Sequence, residues 1–197
     1  PESRQREAPG QILNQIGRNM KRVEDPRLLV GNGQYIDDLV LNKMLHCAVL
    51  GSPYAHARIV SIDTSAAQAL PGVHQVMTGK DVAAVTGPLP CFSNPPVEQR
   101  CVAVDRVRHV GEPVAIVAAD TRAIAEDAAA LIKVTYEELP VASDPVAALD
   151  MRGAGVLHPE RGETNIAQQR VFTFGDVEAD FASAARIIRR KLRWSRS

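Results

Sequence analysis

The chain has 197 residues, and 23 Lys and Arg balance 23 Asp and Glu to a formal net charge of zero. That length suits one domain and part of a second, while neutrality excludes the basic field of a non-specific nucleic-acid binder. Aromatics at 4% leave few stacking platforms for bases or sugars, and 45% apolar residues are ordinary for a folded soluble protein.

Residues 1–21 are polar and read as a flexible arm. They carry no apolar core of a signal peptide, and no stretch of the chain approaches the roughly 20 apolar residues of a membrane span, which fits a cytoplasmic protein. The run from Arg22 to Tyr35 crowds charges against Pro26, Gly31 and Gly33, which predicts a loop. Met44–Gly51 is an apolar run suited to a buried strand, and the alternating Ala57–Ile62 predicts its partner. Asp63 is placed to cap a short helix with Ala66, Ala67 and Leu70 on one face, ended by Pro71-Gly72. Val73–Met77 reads as a strand, and Thr78 or Gly79 opens a helix through Val85. Four prolines over 86–100 (Pro88, Pro90, Pro95 and Pro96) predict an extended loop.

Val102–Val110 and Val114–Ala119 read as strands around the Gly111-Glu112-Pro113 turn. Asp120 or Thr121 caps a helix over Arg122–Leu131, with Ile124, Ala128 and Leu131 predicted on its apolar face. Lys133–Glu137 is a strand stopped by Leu139-Pro140. Strands and helices thus alternate through one unit over 22–145. From 146 to 164 the pattern weakens into a linker. A strand at Gln169–Phe174, a helix capped by Asp176 and running through Ala185, and a basic strand at Ile187–Trp194 follow. A strand–helix–strand of that size buries no core of its own, so 165–197 is expected to be completed by another chain.

The chemistry-bearing residues are scattered. Gly31-Asn32-Gly33 lacks the third glycine of a dinucleotide loop and reads as a turn. Asp37-Asp38 reads as a solvated or capping pair rather than a magnesium site. Cys47, Cys91 and Cys101 match no zinc or iron–sulfur spacing and read as buried or idle thiols. Among His46, His56, His74, His109 and His158 none has a ligand-spaced partner; His56, in the Ser52–Arg58 loop, is either functional or a backbone cap, with the cap favoured. No nucleophile elbow is present. Lys43 on its turn is an exposed lysine, with a lipoyl- or biotin-like carrier role as a remote alternative. No catalytic, cofactor-binding or metal-binding residue is assigned.

Eight phrases in one order carry a resemblance. They are Arg22-Val-Glu-Asp-Pro-Arg-Leu-Leu through Asp38, Ser52-Pro-Tyr-Ala-His-Ala-Arg-Ile59, Ile62-Asp63 with Leu70-Pro-Gly-Val73, Val110-Gly-Glu-Pro-Val-Ala115, Ala125-Glu-Asp-Ala128, Val134 to Pro140, His158-Pro-Glu160 and Gly175-Asp-Val177. Together they resemble the amino-terminal part of the molybdenum-binding large subunit of the xanthine dehydrogenase/aldehyde oxidase family, including its carbon monoxide dehydrogenase-like branch. The resemblance implies an α+β fold: an a/b hammerhead domain over 22–145, with a mixed sheet and packed helices. An incomplete strand–helix–strand of the molybdenum-binding domain would follow over 165–197.

The family's molybdopterin-binding glycine segments and its base glutamate, which lie far downstream, are absent here. So are the Cys-x4-Cys-x2-Cys run and any flavin fingerprint. The resemblance therefore implies a non-catalytic structural subunit, natural split or fragment of a heteromeric molybdenum hydroxylase. Such a complex would hold molybdopterin of the cytosine dinucleotide type, [2Fe-2S] clusters and FAD. It would act on an N-heteroaromatic or aldehyde substrate, or on carbon monoxide, with water as oxygen source. The partners implied are the remainder of the large subunit, a [2Fe-2S] subunit and an FAD subunit, with no nucleic acid and no membrane span. The expected contact segments are 22–38, Ser52–Arg58 and Arg186–Arg193. A free-standing adaptor module with this fold and no redox role is the alternative.

Overall fold

A computed structural model describes residue 17 and residues 20–91, 93 and 96–194. The arm expected over 1–21 falls outside them except at Gly17, Met20 and Lys21. The chain divides between Met44 and Leu45 into two compact units.

The first unit holds a helix, α1 (Asp25–Leu29), where the sequence predicts a loop. Pro26 sits in the first turn, where its missing N–H would have had no partner anyway, so it starts the helix instead of preventing it. Gly31, at φ +74°, ends it: its amide donates to the Leu28 carbonyl, and that of Asn32 to the Arg27 carbonyl. This double C-terminal bond needs a left-handed residue, which accounts for the glycine. A 3₁₀ turn follows at Ile36–Asp38.

The second unit carries two three-stranded sheets, antiparallel throughout. The strands are β1 (His46–Gly51), β2 (Ala57–Asp63), β3 (Val73–Thr78), β4 (Arg106–Val107), β5 (Pro113–Ala119) and β6 (Lys133–Glu138). One sheet runs β1-β5-β3 and the other β4-β2-β6. The α+β class holds, but the pairings differ from the simple hairpins the sequence suggests. β2 does not pair with β1, and β4 does not pair with β5; the Ser52–His56 loop carries the chain from one sheet to the other. β5 is apolar almost throughout and so takes the centre of its sheet, where both neighbours shield it. The strand expected over 102–110 shrinks to two residues, since only Arg106 and Val107 meet β2.

Helix α2 (Ser65–Gln68) and helix α3 (Gly79–Val85) lie at opposite ends of β3. Thr64, not Asp63, is the N-cap of α2; Asp63 stands one residue earlier and accepts from the amide and hydroxyl of Ser65 at 3.0 and 2.7 Å. Thr78 caps α3 as expected, its own amide donating to Asp81. At Gly79 an added Cβ would lie 1.9 Å from the Ala103 carbonyl oxygen, so this backbone approach admits glycine only. Helix α4 (Arg122–Leu131) is capped by the Thr121 hydroxyl, which accepts from Ile124 N–H at 3.2 Å. Its buried face is Ala125, Ala128 and Ala129, not the Ile124–Ala128–Leu131 face expected. Alanines let the helix approach the sheet closely, and Leu131 is left 40% exposed at the rim.

The core joins Ala128 and Ala129 to Ala67, Val76, Ala115, Val117 and Ile132, and a second cluster groups Ala57, Ala103, Val107 and Val114. The span 146–164 is ordered rather than a bare linker. It holds α5 (Pro145–Ala148) and 3₁₀ turns at Gly153–Gly155 and Pro159–Arg161, and it buries Val156. Asn165 clasps it: its side-chain oxygen accepts from Leu157 N–H at 2.9 Å, and its nitrogen donates to the Ala148 and Gly155 carbonyls. Beyond it, α6 (Val177–Ser183) forms under the Asp176 cap, but 169–174 and 187–194 form no strand. An extended segment without a neighbouring edge has nothing to bond its amides, which is why pattern alone overstated these two.

Candidate interaction surfaces

In the first unit, α1 and the turn after it present Leu29, Ile36 and Val40 more than four-fifths exposed. Asp38 accepts from the Tyr35 amide at 2.9 Å, so it is a capping carboxylate, as the sequence reading favoured.

In the Ser52–Arg58 loop, the Ser52 hydroxyl accepts from Tyr54 N–H at 3.0 Å and shapes the turn. Tyr54 leans on Tyr136 with ring centroids 5.0 Å apart, and burial pushes the Tyr136 phenol up. His56 is only 1% exposed. Its Nδ1–H donates to the Pro140 carbonyl at 2.8 Å, so the backbone-tying role is the one observed. Burial holds its imidazole below the ordinary histidine range, and Arg106 and Arg108 push the same way. Arg58 at the loop's end pairs with Glu137 at 3.1 Å; both are half-exposed, so the pair adds under about 1 kcal/mol.

A cavity of about 480 Å³, which the sequence did not disclose, lies beside this loop's sheet. Its charged lining includes Glu98, Arg100, Arg108, Glu112, His158 and Glu160. The Arg108 amide donates to Glu112, and its guanidinium Nε to the Leu157 carbonyl at 2.9 Å. His158 donates to Glu160 at 2.7 Å. Burial works to raise the Glu160 carboxyl, but its own backbone amide and His158 outweigh that and hold it below the usual range. Arg100 pairs with Glu98 at 2.6 Å. The hint available in the sequence was the alternation Arg106, Arg108 beside His158-Pro159-Glu160.

The remaining candidates do not converge. His74 bonds Asp120 at 2.6 Å, and His109 donates to the Val110 carbonyl. The three cysteines are free; of the two readings, buried or idle, none is buried, with Cys47 and Cys101 exposed and Cys91 partly so. The Ser93 hydroxyl lies 3.2 Å from Cys91 and lowers its thiol. Among the described residues no three His, Cys, Asp or Glu side chains gather to hold a metal, and no helix is long and apolar enough to cross a membrane. Lys43 stands at φ +59° in the turn closed by Met44 N–H on the Leu41 carbonyl.

Over 186–194 the cations Arg186, Arg189, Arg190, Lys191 and Arg193 are exposed and, among the described residues, form no ion pair; Arg190 Nη1 donates to the Arg189 carbonyl at 3.5 Å. Interleaved with them, Ile188, Leu192 and Trp194 are exposed too. At the period of two of an extended chain, one side carries Ile187, Arg189, Lys191 and Arg193, and the other Ile188, Arg190, Leu192 and Trp194.

The family model for the aldehyde oxidase and xanthine dehydrogenase a/b hammerhead domain matches residues 30–140. The chain is 38% identical over 185 residues to the nicotine 6-hydroxylase large subunit of Paenarthrobacter nicotinovorans, covering 92% of this chain and 22% of that one. It is 43% identical to the carbon monoxide dehydrogenase large chain of Afipia carboxidovorans, over 70% of this chain and 17% of that one. Among solved structures, quinoline 2-oxidoreductase from Pseudomonas putida 86 superposes with a TM-score of 0.73 at 45% identity, over 84% of this chain and 21% of that one. The chain thus spans about a fifth of the length of these relatives.

Proposed function

The chain belongs to the aldehyde oxidase and xanthine dehydrogenase family, and from that premise we propose that it is a non-catalytic structural segment of a heteromeric molybdenum hydroxylase. The domain limits we assign are 22–145 for the hammerhead, 146–164 for an ordered connector, and 165–197 for elements that another polypeptide segment completes. The observation that carries this reading is the carboxy-terminal stretch. Leu192 is 91% and Trp194 98% exposed beside five exposed cations, Arg186, Arg189, Arg190, Lys191 and Arg193, a surface that stays wet only until something covers it. The 22–38 and Ser52–Arg58 segments are the other two contact surfaces we assign.

The described residues do not fit a molybdenum centre: each charged group named around the cavity is already engaged by a neighbour in this chain. The cofactor is therefore assigned to the remainder of the large subunit, in its cytosine dinucleotide form, with [2Fe-2S] and FAD on partner subunits in the cytoplasm. Bound there, it would supply hydroxylation of a ring or aldehyde carbon with oxygen from water, the electrons leaving through [2Fe-2S] to FAD. Nicotine and quinoline in the names of two relatives favour an N-heteroaromatic substrate.

Affinity purification of the chain from cells that express the neighbouring reading frames tests the proposal. It predicts co-purification with larger polypeptides that contain molybdenum, iron and flavin. A stable monomer that recruits none of them would overturn it.

A further inference from the structure

The groups around His56 form an arrangement that no catalytic role explains. His56 precedes β2, the central strand of its sheet. The ladder pairs Ala57 with Val107 and Arg58 with Arg106; carried one residue further, it sets His56 opposite Arg108 and diagonal to Arg106. On the other side Leu139 N–H donates to the His56 carbonyl at 3.0 Å, and the Pro140 carbonyl receives Nδ1–H. With Nδ1 as donor, Nε2 carries the lone pair, and it is buried without a hydrogen-bond partner, as is Arg106 Nε, which reaches Asp105 only as an ion pair at 3.9 Å. The same two arginines hold the connector. Arg106 Nη1 donates to the Val156 carbonyl at 3.4 Å and Arg108 Nε to that of Leu157 at 2.9 Å.

We propose that His56, Arg106 and Arg108 form a proton-sensitive latch that keeps residues 153–161 closed on the sheet while the His56 ring is neutral. A proton on Nε2 would put a buried cation beside two partly buried guanidiniums. From β4 and the residue after it the ring faces Arg106 and Arg108, from the following turn Glu112, and from β6 and the residues after it the Pro140 carbonyl and, diagonally in register, Glu137, which is paired with Arg58 at 3.1 Å. Neither carboxylate is free to take up the added charge: Glu112 accepts from the Arg108 amide and Glu137 pairs with Arg58. The arginines then move off, and the Val156 and Leu157 carbonyls lose their donors together. Burial and both cations favour the neutral ring, so the latch opens below the ordinary histidine range. His158, the other histidine of this segment, is held at 2.7 Å from Glu160 and does not touch either arginine's connector bond. The latch concerns this chain alone and holds whatever assembly the chain joins.

Amide hydrogen exchange over 153–161 of the full chain, corrected for intrinsic rates, tests it between pH 7.5 and pH 5. Protection is expected to fall by up to about tenfold per pH unit once His56 takes its proton. The fall should vanish in His56→Gln, which keeps a neutral donor for Pro140, and persist in His158→Gln. The same fall in His56→Gln, or its loss in His158→Gln, would overturn the proposal. Should His56→Gln not fold, NMR titration of the His56 ring in the unmodified chain decides. The ring and the connector amides must change at one pH, and a ring that titrates while 153–161 stay protected refutes the latch.

Discussion

The two-sheet body and the stretch from 166 to 194 use opposite apolar residues. Among the described residues, every buried hydrophobic side chain of the body is Ala or Val except Ile132, whereas the carboxy-terminal stretch displays Phe172, Phe174, Phe181, Ile188, Leu192 and Trp194. Small side chains let backbones approach closely, so the body is held by close fit. Large ones left in water hold nothing until a second surface covers them. The body therefore closes upon itself, and the carboxy-terminal stretch carries its apolar area outward.

If close fit holds the body, added volume should harm it most. Gly79→Val drives a side chain into the Ala103 carbonyl and should cost about 3 kcal/mol in urea denaturation; a loss below 1 kcal/mol would break the comparison. Removing volume comes next: Val117→Ala empties space beneath α4 and should cost about 2 kcal/mol by the same measurement. Third is pH. The His56 pKa is depressed on folding, so the unfolded chain binds more protons in the window below 6.5. Stability from this group is whole above 6.5 and declines as pH falls through that window, by at most about 1.4 kcal/mol per unit. Denaturation midpoints of His56→Gln measured at pH 7.5 and 5.5 should lack that decline. Thr78→Ala removes a helix cap and should cost about 1 kcal/mol. Smallest of all, Leu192→Ser with Trp194→Ser should change the chain's own stability by less than about 0.5 kcal/mol while weakening co-purification with larger polypeptides.

Local chemistry made much of the body legible. Thr78 and Thr121 announce their helices because a hydroxyl beside free amides is a short-range event, and β5 declares itself by an apolar run too long for a surface strand. The partners of each strand were not legible. Whether β2 lies beside β1 or β6 depends on where the Ser52–His56 loop turns, and Ala57 carries no mark of its distant neighbour Glu138. The internal order of the connector is not legible for a related reason. Its order comes from Arg106, Arg108 and Asn165, side chains that reach across sequence gaps no periodicity spans. His56 shows the limit from the other side. Its role as a backbone tie was favoured, but the two arginines beside it appear only once β4 is laid against β2.

The Asn165 clasp has a consequence for variation among relatives. One amide closes the span from Ala148 to Asn165, and the entropy of closing a loop rises only with the logarithm of its length. Residues can thus be gained or lost around 150–154 at little thermodynamic cost, while the chain still leaves the clasp from the same place. Length differences between homologues should collect in that stretch, with an amide or a comparable two-way hydrogen bonder kept at position 165.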